Sequence, residues 1–309
     1  MTALGIDTSN YTTSAALYAG GGEYEMRRKI LDVKSGSRGI RQRDAVFIHN
    51  RELPCMLGEL IGAARAGLRA VGVSTRPRSV EGSYMPVFTV GHGHAKTAAA
   101  ALGVPLYGFS HQDGHIMAAI MSAGRFDLLE ELFLSVHISG GTTEILRTAY
   151  NGYNFECEII GGTLDISAGQ VIDRVGVAMG LKFPCGAELE RLAERAAEEY
   201  RLPFSVKGSY VNLSGAETKL LRQISGADAD IARTVLCYIR DVLVRMIGNA
   251  VSETRIKKVL IAGGVASNGI VRSGLCEELD AEVYFASREL STDNAVGTAC
   301  LAYMASVQN

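Results

Sequence analysis

Two histidines four residues apart, in Ser110-His111-Gln112-Asp113-Gly114-His115, are the residues of this chain whose spacing best suits chemistry. On a helix, positions i and i+4 share a face, so His111 and His115 can direct their ring nitrogens at one metal ion. A two-histidine grip leaves positions for a third protein ligand, water or substrate, which is how a catalytic metal site is built. Spacing alone also allows two polar histidines on a solvated helix face.

Two strand–turn–strand segments offer a second kind of chemistry. Asp7-Thr8-Ser9 and Ser139-Gly140-Gly141-Thr142 place backbone N–H groups and hydroxyls in tight loops. Such nests bind phosphate, because the donors are fixed and glycine lets an anion approach the backbone. Facing each other, the two would clamp a polyphosphate; separately, each also reads as an ordinary hairpin turn. Gly263-Gly264-Val265-Ala266-Ser267-Asn268 follows a strand and opens a helix, a place for an anion or a nucleoside edge. It lacks the third glycine of the dinucleotide fingerprint. Asp173 can accept a hydrogen bond from ribose hydroxyls. Asp293 opens the last helix, either as its N-cap or as the anionic ligand that the histidines lack.

The elements that must position these residues follow from periodicity and turn residues. Ala3 to Asp7 is a buried strand, returned by Thr13 to Tyr18. Residues 34–46 are basic and Gly-rich and read as a surface loop. Residues about 44–70 carry helix-spaced apolar positions with an interruption at Pro54. Val71 to Ser74 is a strand, Thr75 to Met85 a loop holding Arg76, Arg78 and Glu81, and 90–102 a helix. Pro105 to Phe109 is a short strand feeding the His111 helix. A second hairpin unit, Phe133 to Ile138 and Thr143 to Leu146, repeats the first device. Helices follow at about 165–180, 185–200, 216–223 and 228–254, then strands at Val259–Ala262 and Glu282–Phe285 and a helix at about 293–305. The repetition is at the level of whole lobes.

Composition sets the bounds. At 309 residues and 47% hydrophobic, the chain can build two lobes with substantial cores. A net charge of −2 makes the whole chain a poor polyanion magnet, so a nucleic-acid footprint must be local or supplied by a partner. Arg38, Arg41, Arg43, Arg76 and Arg78 are the local candidates for phosphate contact. The six cysteines are scattered without a Cys-x-x-Cys pair, which fits reduced thiols in the cytosol. No charged leader precedes the first strand and no apolar run reaches membrane-spanning length, so a soluble cytoplasmic protein without membrane contact is expected. His92, His94 and His137 read as hydrogen-bonded structural residues rather than ligands.

Taken in order, seven motifs resemble the TsaD family (also called Gcp, or M22 glycoprotease-like) along nearly the whole chain. They are His111-Gln112-Asp113-Gly114-His115, Ser139-Gly140-Gly141-Thr142, Ala168-Gly169-Gln170-Val171-Ile172-Asp173, Gly180 to Gly186, Leu213-Ser214-Gly215, Gly263 to Asn268, and Thr292-Asp293-Asn294. The resemblance implies an α/β, two-lobed actin/hexokinase/Hsp70-like fold with duplicated ribonuclease-H-like lobes and a central nucleotide cleft. Lobe I is expected at 1–110 plus 290–309, and lobe II at 111–289.

The resemblance also implies an activity: transfer of a threonylcarbamoyl group from its adenylate to N6 of adenosine 37 in tRNAs. His111, His115 and Asp293 would hold one divalent metal, iron or zinc, with magnesium as the alternative. Ser139, Gly140 and Gly141 would bind phosphate, and Asp173, Gly186 and Asn268 the nucleoside of an adenine nucleotide or acyl-adenylate. With the turn residues, the expected nucleotide and substrate set is Ser9, Ile138, Ser139, Gly140, Gly141, Thr142, Asp173, Gly186 and Asn268. tRNA, TsaB- or TsaE-like proteins, or a second copy of the chain are the implied partners.

The chain departs from the family at three places. The family's Thr-Ser-Cys-Asp-Glu-Thr reads Thr8-Ser9-Asn10-Tyr11-Thr12-Thr13, so Tyr11 and Thr12 replace two acids. Its Ser-Gly-Gly-His ends in Thr142, and its Gly-Pro-Gly-Leu loop is replaced by Thr75 to Gly82. Loss of two carboxylates beside a metal changes the local charge by two units. A divergent paralogue is therefore expected: a transferase with the family reaction, a non-catalytic nucleotide-binding partner subunit, or a carbamoyltransferase with another acceptor. No nucleophile or His-Glu-x-x-His array supports proteolysis.

Overall fold

The computed structural model describes residues 1–9, 11–31, 40–64, 67–224, 226, 228–292 and 294–308. In chain order the elements are β1 (Thr2–Ser9), β2 (Thr12–Tyr18), β3 (Tyr24–Ile30), α1 (Gln42–Ala64), β4 (Leu68–Arg76), α2 (Phe88–Leu102), β5 (Leu106–Ser110) and α3 (His111–Ala123). Next come β6 (Phe133–Ile138), β7 (Thr143–Tyr150), β8 (Phe155–Thr163), α4 (Ala168–Ala178), α5 (Gly186–Ala193), β9 (Val206–Lys207), β10 (Tyr210–Val211), α6 (Ser214–Gln223) and α7 (Ala229–Thr254). The chain closes with β11 (Lys258–Ala262), α8 (Gly269–Glu278), β12 (Glu282–Phe285) and α9 (Val296–Gln308).

The chain divides into two compact units, residues 1–127 with 150–156 and 289–309, and residues 128–149 with 157–288. The first boundary falls at about residue 127, not at 111 as expected. Helix α3 stays with the first unit because it packs on α9. A Cβ on Gly297 of α9 would lie 1.9 Å from the Gly114 carbonyl oxygen of α3, a backbone approach that only glycine permits.

The first unit holds a five-stranded sheet in the order β3-β2-β1-β4-β5, with β1 to β3 antiparallel and β1, β4 and β5 parallel. Strand alternation sorts its two faces. Leu4, Ile6, Ala15, Leu17, Val71 and Val73 pack against Leu53, Leu57 and Leu60 of α1 and against Val90, Ala95 and Ala99 of α2. The opposite face carries Gly5 and Gly72, where a Cβ would fall 2.4 Å from the Ala295 oxygen and 2.7 Å from the Thr298 oxygen. Asp7, two residues along from Gly5, lies on this α9 face and is fully buried.

The second unit repeats the plan. Its seven-stranded sheet runs β12-β11-β6-β7-β8-β10-β9, so that β8-β7-β6-β11-β12 has the order of β3-β2-β1-β4-β5. Here too the first strand is central, paired antiparallel to the second and parallel to the fourth. The lobe-level repetition read from the two hairpins is thus a repeated sheet topology. Its core joins Leu134, Val136 and Ile138 to Val171 and Ile172 of α4 and to Val235, Ile239, Val242 and Met246 of α7.

Several expected boundaries shift. Strands β3, β8, β9 and β10 were not expected; the edge strand β3, Tyr24–Ile30, carries charged residues and no buried one. Helix α1 begins at Gln42, inside the segment read as loop, while residues 32–39, including Arg38, lie outside the described residues. The helix is continuous through Pro54. The ring sits on the exposed side, so the carbonyl it deprives of a partner faces solvent. The helix expected at 185–200 ends at Ala193. Among the described residues, no helix is long and apolar enough to cross a membrane, and all six cysteines are free.

Candidate functional site

Helix α3 is started by a capping box. Ser110 Oγ accepts from the Asp113 N–H at 3.1 Å, and Asp113 Oδ2 accepts from the Ser110 N–H at 2.8 Å. The same carboxylate accepts from Ser110 Oγ and Ser79 Oγ, and its Oδ1 from the Phe155 N–H. The Gln112 N–H donates to the Pro77 carbonyl, so the Thr75 to Gly82 segment that departs from the family is tied to the first turn of α3. Five bonds to a buried Asp113 hold that turn, and with it both histidines.

His111 and His115 come together as their spacing predicted. Their Nε2 atoms stand 2.9 Å apart and their ring centroids 4.3 Å apart, with the planes at 72°. Nδ1 of His111 lies 3.1 Å from Asp7 Oδ1 and 3.0 Å from Oδ2. Two imidazole Nε2 atoms this close together are a donor pair that fits a divalent transition metal. Among the described residues no third His, Cys, Asp or Glu completes a ligand group, and Asp293, the expected third ligand, lies outside them.

The β1–β2 turn differs from a simple nest. Asp7 is committed to His111, and Thr8 Oγ1 donates to the Val87 carbonyl and accepts from the Gly91 N–H. Ser9, opposite Thr12 in the register, is buried, as is Thr12, while Tyr11 is exposed. Behind the turn sits His49 of α1, which the sequence reading passed over. It is fully buried, with Nδ1 2.8 Å from Thr13 Oγ1. Burial pushes its pKa down from 6.5, opposed by the Asp7 carboxylate and the Ser9 backbone. Its signal was available in the helical spacing of His49, Leu53, Leu57 and Leu60, which places it on the core face of α1.

In the second unit, Ser139 to Thr142 turn at the end of β6, just after the buried Ile138. Ser139 Oγ accepts from the N–H groups of Gly141 at 3.3 Å and Thr142 at 3.1 Å, standing where an anion oxygen would stand in a nest. Two neighbours crowd this turn. A Cβ on Gly169 of α4 would meet the Ser139 oxygen at 2.5 Å, and one on Gly263 would meet the Ile138 oxygen at 2.2 Å. Gly263 has φ +105°, so both glycines let backbone approach backbone. Ser167 Oγ, the N-cap of α4, donates to the Gly140 carbonyl.

The expected nucleoside residues form one connected array beside it. Asp173 Oδ1 accepts from the Cys185 N–H at 2.8 Å, which places Gly186, the next residue, beside it. A Cβ on Gly140 would lie 3.9 Å from Asp173 Oδ2, and Gly186 itself faces open space. From α5, Glu190 Oε1 accepts from the Gly269 N–H, bringing in Asn268. Asn268 is the N-cap of α8 through its Oδ1, while its buried Nδ2 has no hydrogen-bond partner. Burial raises the Asp173 pKa, and the Cys185 N–H works against that rise.

The basic residues scatter. Arg43 is on α1, paired with Asp44, and Arg41 is exposed just before it. Arg76 ends β4 and donates to Thr75 and Ser79, within one loop of Arg78. His92 is exposed and His94 and His137 are half-buried.

Comparison with known proteins bears on the family and the fold. A probable bifunctional tRNA threonylcarbamoyladenosine biosynthesis protein of Methanothermobacter thermautotrophicus is 31% identical over 307 residues, 97% of this chain and 55% of that protein. The chain therefore spans about half the length of that relative. The tRNA N6-adenosine threonylcarbamoyltransferase of a Polaromonas species is 30% identical over 327 residues, 98% of this chain and 91% of that one. Among solved structures, the activator of the 2-hydroxyisocaproyl-CoA dehydratase from Clostridium difficile, with bound ADPNP, aligns with a TM-score of 0.57 at 16% identity over 100% of this chain and 96% of that one. A ROK family glucokinase from Streptomyces griseus aligns with a TM-score of 0.55 at 12% identity, covering 98% and 99% of the two chains. These likenesses establish the actin/hexokinase/Hsp70-like fold. Residues 29–300 match the model of the TsaD family, the tRNA N6-adenosine threonylcarbamoyltransferases, and the chain belongs to that family.

Proposed function

We propose that this chain transfers a threonylcarbamoyl group from its adenylate to N6 of adenosine in tRNA. The observation that carries this reading is the convergence of the His111 and His115 Nε2 atoms on α3, in a chain of this family. In the reaction the N6 amine forms a C–N bond to the carbamoyl carbon. The bond from that carbon to the adenylate oxygen breaks, AMP leaves with the electron pair, and the amine's proton passes to a base.

The chain's own residues divide the work. Ser139, Gly140, Gly141 and Thr142 bind phosphate, with Ser139 Oγ giving up the Gly141 and Thr142 N–H groups to the anion. Asp173 accepts a ribose hydroxyl, Gly186 leaves room for the sugar, and the unpartnered Asn268 amide N–H donates to the base. His111, His115 and Asp293 would hold a divalent metal, whose chemistry when bound is Lewis-acid polarisation of the acyl oxygen. tRNA is the acceptor, and TsaB- or TsaE-like chains, or a second copy, are the partners proposed for it, in the cytoplasm.

A second reading rests on the β1–β2 turn. Ser9-Asn10-Tyr11-Thr12 carries no carboxylate, which favours a non-catalytic nucleotide-binding subunit or a carbamoyltransferase with another acceptor. Mass spectrometry of tRNA nucleosides from cells depleted of their own transferase and expressing this chain separates them. Threonylcarbamoyladenosine, recovered and lost again with His111→Ala, supports the transferase. Its absence with folded, nucleotide-binding protein supports the second reading.

A further inference from the structure

We propose that Asp7 is a positioning residue that fixes the tautomer of His111. Its carboxylate accepts a hydrogen bond from Nδ1–H, which leaves the Nε2 lone pair turned toward His115. The inference rests on the proposed metal role of the histidine pair and concerns how this chain prepares it.

Three observations carry it. Both carboxylate oxygens of Asp7 lie close to one ring atom, at 3.1 and 3.0 Å from His111 Nδ1. Asp7 is fully buried, and its Oδ2 has no hydrogen bond to offset removal from water. A buried carboxylate so sparsely compensated is unfavourable unless a partner of opposite or polarisable character faces it. The contrast with Asp113 is direct: Asp113 accepts from Ser110, Ser79 and Phe155 and is used up in holding the helix start. Among the described residues, Asp7 makes no such backbone bond, so local structure does not account for it.

The geometry also decides against Asp7 as a metal ligand. Nδ1 and Nε2 lie on opposite sides of an imidazole ring, and the carboxylate is on the Nδ1 side. Asp7 thus faces the ring nitrogen opposite the one turned toward His115. A carboxylate on the far nitrogen of a ligating histidine fixes its orientation and raises its basicity, and losing such a group typically lowers metal affinity about 10- to 100-fold. The placement follows from the fold: β1 alternation puts Asp7 on the α9 face, and α3 starts beside it at the end of β5.

The test is titration of metal-free full-length protein with Zn²⁺ against a competing chelator, with ¹⁵N NMR of the His111 ring before metal is added. Wild type is expected to bind zinc with His111 in the Nδ1–H form. Asp7→Asn, close in shape and without the charge, is expected to bind about 10- to 100-fold more weakly. Asp7→Leu is expected to move His111 toward the Nε2–H form, a change that a loss of packing alone would not produce. Equal zinc affinity in Asp7→Asn, or an Nε2–H His111 in wild type, overturns the proposal. Should wild type take up no zinc, the metal reading falls, and the wild-type tautomer alone then decides the role of Asp7. Should Asp7→Leu not fold, the wild-type tautomer and the Asp7→Asn affinity decide it.

Discussion

The backbone of Gly297 rests against the carbonyl of Gly114, so close that a Cβ at residue 297 would fall 1.9 Å from that oxygen and 2.6 Å from the Ala118 nitrogen. This contact seats α3, the helix that carries the histidine pair, on α9. Gly297→Ala must therefore push the two helices apart. Overpacking of this kind destabilises by about 1–3 kcal/mol, and more where backbone cannot move. The expected outcome is a lower melting temperature together with weaker zinc binding. Gly114→Ala should act in the same direction and less strongly, because its Cβ meets the Thr298 hydroxyl at 2.8 Å rather than backbone.

His111→Ala and His115→Ala each remove one of the two convergent Nε2 donors. Neither ring is part of the apolar core, so far-UV circular dichroism should stay close to wild type. Metal content of the purified protein, measured by inductively coupled plasma mass spectrometry, should fall to background in both. Retained stoichiometric metal in either variant would place the ion elsewhere in the chain.

Asp173 provides a pH-dependent prediction of known sign. Burial raises its pKa in the folded protein, so the fold binds its proton more tightly than the unfolded chain does. Between the unfolded and folded values the native state holds more protons, and stability contributed by this group falls as pH rises through that window. Asp173→Asn keeps an acceptor for the Cys185 N–H and removes the buried charge. It should raise the melting temperature at pH 7 by roughly 1–3 °C, with the gain vanishing at pH below the ordinary aspartate range. The same variant should bind adenine nucleotide more weakly, measured by calorimetry, since an amide replaces the ribose acceptor.

His49 behaves in the opposite sense. Its depressed pKa means that the unfolded chain binds the proton more readily, so stability is lost as pH falls below the ordinary value of 6.5. His49→Gln keeps a polar partner for Thr13 and cannot take up that proton. Denaturant unfolding between pH 7 and pH 5 should show a shallower decline in the variant than in wild type. Identical slopes would mean that other groups govern the acid sensitivity.

The difference between what was legible and what was not follows the range of the interactions. The His111/His115 pairing was legible because one helical turn fixes it, whatever surrounds the helix. Two repeated hairpins were legible from period-two alternation and small turn residues, and they led to the repeated sheet order. Strand β3 was hidden, since an edge strand with solvent on its faces carries no apolar alternation: Tyr24 to Ile30 contains three basic residues and no buried one. Pro54 misled for a related reason, as the sequence does not show which side of α1 will face water.

What the sequence determined by itself is local: the i, i+4 histidines, the Ser139–Thr142 turn, and the order of motifs that marks the family. Tertiary structure alone decided which distant groups meet them. Asp7 read as one residue of a turn, and only the pairing of β1 with β4 and of β4 with β5 brings it to His111, 104 residues away. Asp173, Cys185 and Glu190 likewise gained their partners from the packing of α4, α5 and the start of α8. Side-chain type and spacing fix chemistry over one or two turns of chain. The register of a sheet and the seating of helices on it depend on contacts between segments far apart in sequence, and no short-range pattern encodes them.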